Sequence, residues 1–184
     1  FGELNLGNYK KIYDNWKKSP KTFWKEQAEK IHWDRKPTKI LDDDNKPFYK
    51  WYPDGSLNTC FNAIDRHVQN GKGEQDAILY DSPVTNTKKR ITYSDLKYQV
   101  SIFAGALKKL GITKGDRVII YMPMIPEALV AMLACSRLGA IHSVVFGGFA
   151  SNELAVRIDD CKPKIIVSAS CGHEPNRIVE YKPL

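Results

Sequence analysis

Two adjacent glycines after an apolar run leave room for a ligand to meet bare backbone, because no Cβ stands in the way. Gly147-Gly148 is such a pair, and it closes the run Ile141, Ser143, Val144, Val145, Phe146. The same spacing suits a plain strand-to-helix turn, and no full G-x-G-x-x-G follows to favour a ligand. Arg177 offers a second chemistry, since a guanidinium matches two phosphate oxygens at once. Taken alone, an arginine in a polar stretch is more often a solvated charge. His142 lies inside an apolar run and reads as a satisfied core histidine rather than a general base. Arg157 and Asp159-Asp160 read as an exposed helix face. No Ser/His/Asp or Cys/His set, no paired-carboxylate motif and no G-x-x-x-x-G-K-[ST] loop stands out. The residues alone therefore point to an anion-binding strand end without catalytic machinery.

The elements that must position these residues are legible from Lys114 to Lys164. Val118–Tyr121 is a short apolar run bounded by Gly115-Asp116 and Pro123, which suits a buried parallel strand. Residues 127–138 are apolar on almost every face and stop at Gly139, the pattern of a buried helix with a glycine cap. Ile141–Phe146 is a second strand. Strand, helix and strand at this spacing form a βαβ unit with a right-handed crossover. Ser151 begins a helix to about Asp160, and Ile165–Ser168 is a third parallel strand. Ligands of such sheets sit beyond the carboxyl ends of the strands, which is where Phe146 and Gly147 fall.

Upstream, Tyr9, Ile12, Tyr13 and Trp16 form a helical stripe over 8–18, and Pro20 opens a second helix over 21–31. A loop-like stretch with Phe48, Tyr49, Trp51 and Tyr52 ends at the turn Pro53-Asp54-Gly55. A third helix spans 57–68. This aromatic-rich part, residues 1–70, shows no partner within itself and reads as a layer over something larger. Residues 71–184 form the sheet portion, with a strand over 77–80, a short strand over 90–92 and a helix capped by Thr92 and Asp95. Its apolar stripe is Leu96, Val100, Phe103, Leu107 and Leu110. From Ala169 onward the chain reads as loop. The sheet so outlined has few strands, and the expectation is that the chain is the N-terminal part of a longer protein.

The 184 residues are 42% hydrophobic and carry a formal net charge of +7. No apolar run reaches the roughly 18 residues of a membrane span, and the first residues, FGELNLGNYKK, do not resemble a secretory signal. The lysines are dispersed, not arrayed as a basic stripe with aromatics, so a nucleic-acid partner is not expected, whereas anionic phosphate ligands are. Cys60, Cys135, Cys161 and Cys171 lack zinc spacing and are expected to be reduced thiols of an intracellular compartment.

One further observation comes from likeness. YMPMIPEALVAMLACSRLGAIHSVVFGGFASNELAVRIDD, with KGDRV, ITYSDL, LNTCFNAIDRHV and FWKEQAEKIHWDR upstream of it, resembles the acetyl-CoA synthetase group of AMP-forming acyl-CoA synthetases. YDSPVTNTK and the tail IIVSASCGHEPNRIVEYKPL look closest to propionyl-CoA synthetases, including the mitochondrial short-chain form. The resemblance implies a partial N-terminal subdomain of the adenylate-forming fold. It implies a ligase that converts acetate or propionate with ATP to an acyl-adenylate and then passes the acyl group to coenzyme A. Mg2+ is expected for the full-length enzyme, in the cytoplasm or the mitochondrial matrix. It further implies that Phe146, Gly147 and Gly148 line the path of the coenzyme A chain. Glu174, Pro175, Asn176 and Arg177 would lie near its nucleotide phosphates, with Arg177 as the cationic partner. The family usually has glycine where Asn176 stands; asparagine tolerates αL, so the turn is expected to survive. The family's ATP phosphate loop, acyl-pocket tryptophan, ribose-binding aspartate and C-terminal lysine do not occur in these residues, so no catalytic residue is assigned. The alternatives are a stand-alone α/β module that holds a nucleotide or coenzyme A without reacting it, and an interaction protein that docks through its aromatic helices.

Overall fold

In a computed structural model that describes residues 6–147 and 151–181, the chain divides into two units, Phe1–Leu57 and Asn58–Leu184. The first holds helices α1 (Leu6–Lys18) and α2 (Pro20–Ala28). It also holds a minimal antiparallel pair, β1 (Leu41–Asp42) and β2 (Lys50–Trp51). The aromatics that the sequence left without a partner pair with one another. Trp51 meets Trp24 edge-on at 5.7 Å, and Tyr52 meets Trp33 at 5.3 Å. The Tyr52 hydroxyl donates to the Trp24 carbonyl at 2.9 Å, and the Trp33 indole to the Ala28 carbonyl at 2.8 Å. Tyr52 and Trp33 thus pack an apolar body against a neighbouring ring and satisfy their polar tips.

In the second unit, residues 59–72 form a helical stretch widened to a π-turn at Phe61–Asp65 and kinked within Val68–Lys72, where Asn70 and Gly71 (φ 77°) leave helical geometry. Cys60 and Ile64 from this stretch are fully buried in the second unit's core, so the unit boundary falls ahead of the helix, where the sequence reading set it at 70. β3 (Asp76–Ser82) and β4 (Thr87–Thr92) make an antiparallel hairpin. Then α3 (Tyr93–Lys109) begins with the expected capping box, Thr92 accepting from the Asp95 N–H and Asp95 from the Thr92 N–H. Leu96, Val100, Ala104 and Leu107 are its buried face. Leu110, expected in that stripe, is 66% exposed because the helix has already ended at Lys109.

The main sheet follows: β5 (Arg117–Met122), α4 (Pro126–Leu138), β6 (Ile141–Phe146), α5 (Ser151–Cys161) and β7 (Ile165–Ser168). All three strands are parallel, in the order β6-β5-β7. α4 ends at Gly139 with φ 71°, the left-handed conformation that stops a helix without a Cβ penalty. Because β5 is central, it is apolar on both faces. Val118, Ile120 and Met122 join the core built with α3 and α4, while Ile119 and Tyr121 join Val145, Leu154 and Ile158 on the other face. The crossover through α4 runs from β5 to one neighbour, and the crossover through α5 returns past β5 to the far edge. α4 packs on the Val118/Ile120 face and α5 on the Ile119/Tyr121 face, the opposite sides that right-handed crossovers require.

At the amino end of β5, the Asp116 carboxylate accepts from the Thr113 N–H at 2.7 Å, the Thr113 hydroxyl at 2.9 Å and the Lys164 ammonium at 3.1 Å. The Thr113 N–H, then Lys164 and the Thr113 hydroxyl, hold its pKa down at about 2. A carboxylate with a depressed folded value stabilises fully above its unfolded pKa of about 4 and loses that contribution as pH falls through the folded value. Asp116→Asn is therefore expected to flatten the acid limb of unfolding between about pH 4 and 2, followed by circular dichroism. An unchanged acid limb would rule out this linkage.

The tail read as loop is in fact a β-hairpin, β8 (Cys171–Glu174) paired with β9 (Arg177–Glu180). All four cysteines are free thiols; burial raises Cys60 and pushes Cys135 up to about 11. No helix among the described residues is long and apolar enough to cross a membrane.

Candidate functional site

The two crossovers leave the carboxyl ends of β5 and β6 toward opposite faces of the sheet. Between two such ends a crevice must open, the topological switch point where open α/β sheets bind ligands. Here it lies between Met122 and Phe146, which are register partners, and the Gly147 N–H extends the ladder to the Met122 carbonyl at 3.2 Å. Pairing alternation then assigns faces. Val144 and Phe146 look onto an apolar groove of about 530 Å³, lined also by Tyr80, Met122, Met124 and Leu129. Val145 and Gly147 look the other way, toward Tyr121 and Tyr181. Phe146 is 52% exposed, which sets an aromatic ring at the mouth of the crevice. Gly148, the second glycine of the pair, lies outside the described residues.

Gly147 has a use that the sequence did not disclose. A Cβ built there would run into the Tyr181 hydroxyl, with the ring Cζ at 2.6 Å and the Met122 carbonyl carbon at 3.0 Å. Gly172, at the base of the hairpin, meets the same phenol from another side: its Cβ would also run into the hydroxyl, with Cζ at 3.0 Å. Tyr181 is 8% exposed and its ring lies 4.8 Å from that of Tyr121, whose hydroxyl donates to the Gly147 carbonyl at 3.5 Å. Burial pushes the Tyr181 phenol's pKa up. The bare backbone at Gly147 thus accommodates a side chain of this protein.

The hairpin carries the other predicted residues. Its register pairs Glu174 with Arg177 around Pro175-Asn176. Proline at the first turn position fixes φ near −65° and excludes the turns with positive φ there that two-residue hairpins prefer. Asn176 is not among the positive-φ residues, which among the described residues are Tyr52, Asn86 and Lys162 besides glycines. The αL conformation that the sequence reading considered for Asn176 is therefore not used, and both turn residues keep negative φ, as in a type I turn. Arg177 Nε donates to Glu174 Oε2 at 2.7 Å, and the two side chains are 71% and 41% exposed. Glu174, first in cause, raises the Arg177 pKa further. This bond occupies Nε and leaves the Nη hydrogens for a phosphate. Arg177 pairs with Glu174, two residues beyond Gly172 along the hairpin, about 7 Å from its base.

The structure thus brings Phe146 and Gly147 to the crevice and the hairpin base to Gly147, with Glu174, Pro175, Asn176 and Arg177 together at the exposed tip. His142 is partly buried, and burial lowers its pKa, as suits a neutral core histidine. Gly172, Tyr121 and Tyr181 were missed. The only sequence signal was that two glycines and two tyrosines fall near strand ends, which does not reveal pairing.

A family model described as AMP-binding enzyme matches residues 65–182. The chain belongs to the AMP-binding enzyme family. A second model, acetyl-coenzyme A synthetase N-terminus, matches residues 9–63. Among curated relatives, the bovine protein named acyl-CoA synthetase short-chain family member 3, mitochondrial, is 56% identical over 178 residues, covering 97% of this chain and 26% of its own. The human protein of that name is 58% identical over 165 residues, covering 90% of this chain and 24% of its own. An acetyl-coenzyme A synthetase of Streptomyces coelicolor is 48% identical over 161 residues, covering 88% and 25%. The chain spans about a quarter of the length of these relatives. The crevice, Gly147 and the hairpin through Tyr181 all fall within the matched residues 65–182.

Proposed function

We propose that this chain forms the coenzyme A side of a short-chain acyl-CoA synthetase. In the first step the carboxylate of acetate or propionate attacks the α-phosphorus of ATP and expels pyrophosphate, giving the acyl-adenylate. In the second the coenzyme A thiol attacks the acyl carbonyl and AMP leaves, giving the thioester. One observation carries the reading: the switch-point crevice at Phe146 and Gly147 shares Tyr181 with a hairpin whose tip bears Arg177. An extended ligand with an anionic head and a slender thiol-ended chain matches that arrangement. Phe146, Gly147 and Gly148 would border the chain, and Glu174, Pro175, Asn176 and Arg177 the phosphates. A net charge of +7 favours the approach of a polyanion.

Magnesium would accompany ATP. Among the described residues no three His, Cys, Asp or Glu side chains stand together as a metal site, so no residue of this chain is assigned to it. The compartment proposed is the cytoplasm or the mitochondrial matrix, the mitochondrion being the location in the names of the mammalian relatives.

The test is product analysis with the native full-length polypeptide, ATP, magnesium, acetate or propionate, and coenzyme A. Acyl-CoA, AMP and pyrophosphate are expected in equal amounts. Formation of ADP and phosphate, or binding of coenzyme A without thioester, would overturn the reading.

A further inference from the structure

A buried tyrosine whose hydroxyl is flanked by two glycine Cα atoms is a keyed fit. The flanking glycines belong to different elements, Gly147 to the end of β6 and Gly172 to the base of β8. A side chain larger than hydrogen at either position would meet the phenol, so both faces of the slot are shaped to one ring. Tyr181 itself follows β9, and its N–H donates to the Ser170 carbonyl at 3.0 Å, closing the hairpin base behind it. Tyr121 packs against the phenol from the central strand, the two rings tilted by 45°. The central strand, the crevice edge and the hairpin therefore converge on a single ring. Besides Val179, which packs on the same cluster as Tyr181, the hairpin has little to fix it: Glu174, Arg177 and Ile178 are exposed, and its turn is of the kind that matches strand twist poorly.

We propose that Tyr181 is a positioning residue, a latch that sets the hairpin tip carrying Arg177 at a fixed reach from the strand end at Gly147. The proposal rests on the coenzyme A reading for its effect on substrate, but not for its geometry. The latch holds the hairpin base against the crevice, so the guanidinium meets the incoming phosphates without first being ordered. Loss of the latch leaves Arg177 present but loosely placed, and weakens the capture of coenzyme A more than the turnover that follows capture.

The experiment is a double-mutant cycle in the full-length polypeptide, using Gly147→Ala, Tyr181→Leu and the pair. Leucine lacks the distal ring atoms and the hydroxyl that a Cβ at position 147 would strike. The first readout is amide exchange of residues 172–179. Tyr181→Leu is expected to speed exchange there. Gly147→Ala is expected to speed it when Tyr181 is present and to add less on top of Tyr181→Leu, where only the Met122 carbonyl carbon at 3.0 Å still crowds the new Cβ. If Gly147→Ala has the same effect in both backgrounds, the glycine is not shaped to the phenol and the latch is refuted. The second readout is kinetic, with coenzyme A as the probe: Tyr181→Leu should raise its KM several-fold while kcat changes less. A fall in kcat with unchanged KM would also overturn the positioning role. Arg177→Ala separates the two ideas. Should it leave the coenzyme A KM untouched, the coenzyme reading fails, and amide exchange still decides the latch.

Discussion

Replacing Arg177 with alanine is expected to raise the KM for coenzyme A roughly ten-fold while pyrophosphate exchange persists. The magnitude follows from the arrangement at the hairpin tip. Arg177 is 71% exposed and shares its Nε with Glu174, so a phosphate contact there is charge-assisted but competes with water and a neighbouring carboxylate. That limits the effect to about one order of magnitude. Exchange reports acyl-adenylate formation, a step without coenzyme A, and a residue confined to the coenzyme side should not affect it. Lysine should restore only part of the loss, because an ammonium cannot hold Glu174 and fork onto two phosphate oxygens together. A surface arginine with no ligand would change neither number, and equal loss of exchange and thioester formation would mark Arg177 as a structural residue.

Asp65→Ala should cost the second unit about 3 kcal/mol, read as the loss of amide-exchange protection in β5. Asp65 is 7% exposed, and Arg137 grips it with two bonds, Nη2 to Oδ2 at 2.7 Å and Nη1 to Oδ1 at 3.3 Å. The Lys97 ammonium stands 3.9 Å away. Two helical segments, the stretch 59–72 and α4, are clamped by this pair. The Asn58 amide adds a bond to the Arg137 carbonyl at 3.1 Å. Truncating the carboxylate leaves a cation three-quarters buried, with an Nε that already has no hydrogen-bond partner. That stranded charge dominates the cost. Removing both partners in Asp65→Ala with Arg137→Met should recover much of it. A loss below about 1 kcal/mol for Asp65→Ala would show that Arg137 finds water instead.

The unit from β5 to β6 was legible because its signals are local. The run Val118–Tyr121, the apolar helix and Gly139 each declare themselves within a few residues, and the left-handed cap at Gly139 is the conformation glycine is there to supply. Thr92 and Asp95 were readable for the same reason, since a capping box spans four residues. The hairpin was not, because Pro175-Asn176 lacks the Asn-Gly type of signal and exposed strands show no apolar alternation. The clamp between Asp65 and Arg137, separated by 72 residues, leaves no trace in periodicity. Gly147 was recognised as a place where something comes close. Whether that something is a ligand or a tyrosine depends on where residue 181 returns, which only the folded chain reveals. Trp24, Trp33, Trp51 and Tyr52 were likewise visible by type but not by partner.

The position of β5 between its two neighbours has a consequence for synthesis on the ribosome. β6 pairs with β5 after one short crossover, Arg117 with Ile141, but β7 begins its pairing at Val118 with Ile165. The chain emerges from its amino end, at roughly 5–20 residues per second. The second edge of the most apolar strand thus stays open while about fifty more residues are made, on the order of several seconds. Through that interval an unpaired row of N–H and C=O groups invites pairing with another nascent chain. Closure of β7 onto β5 is therefore the step that removes the central strand's second edge from reach of a neighbouring chain.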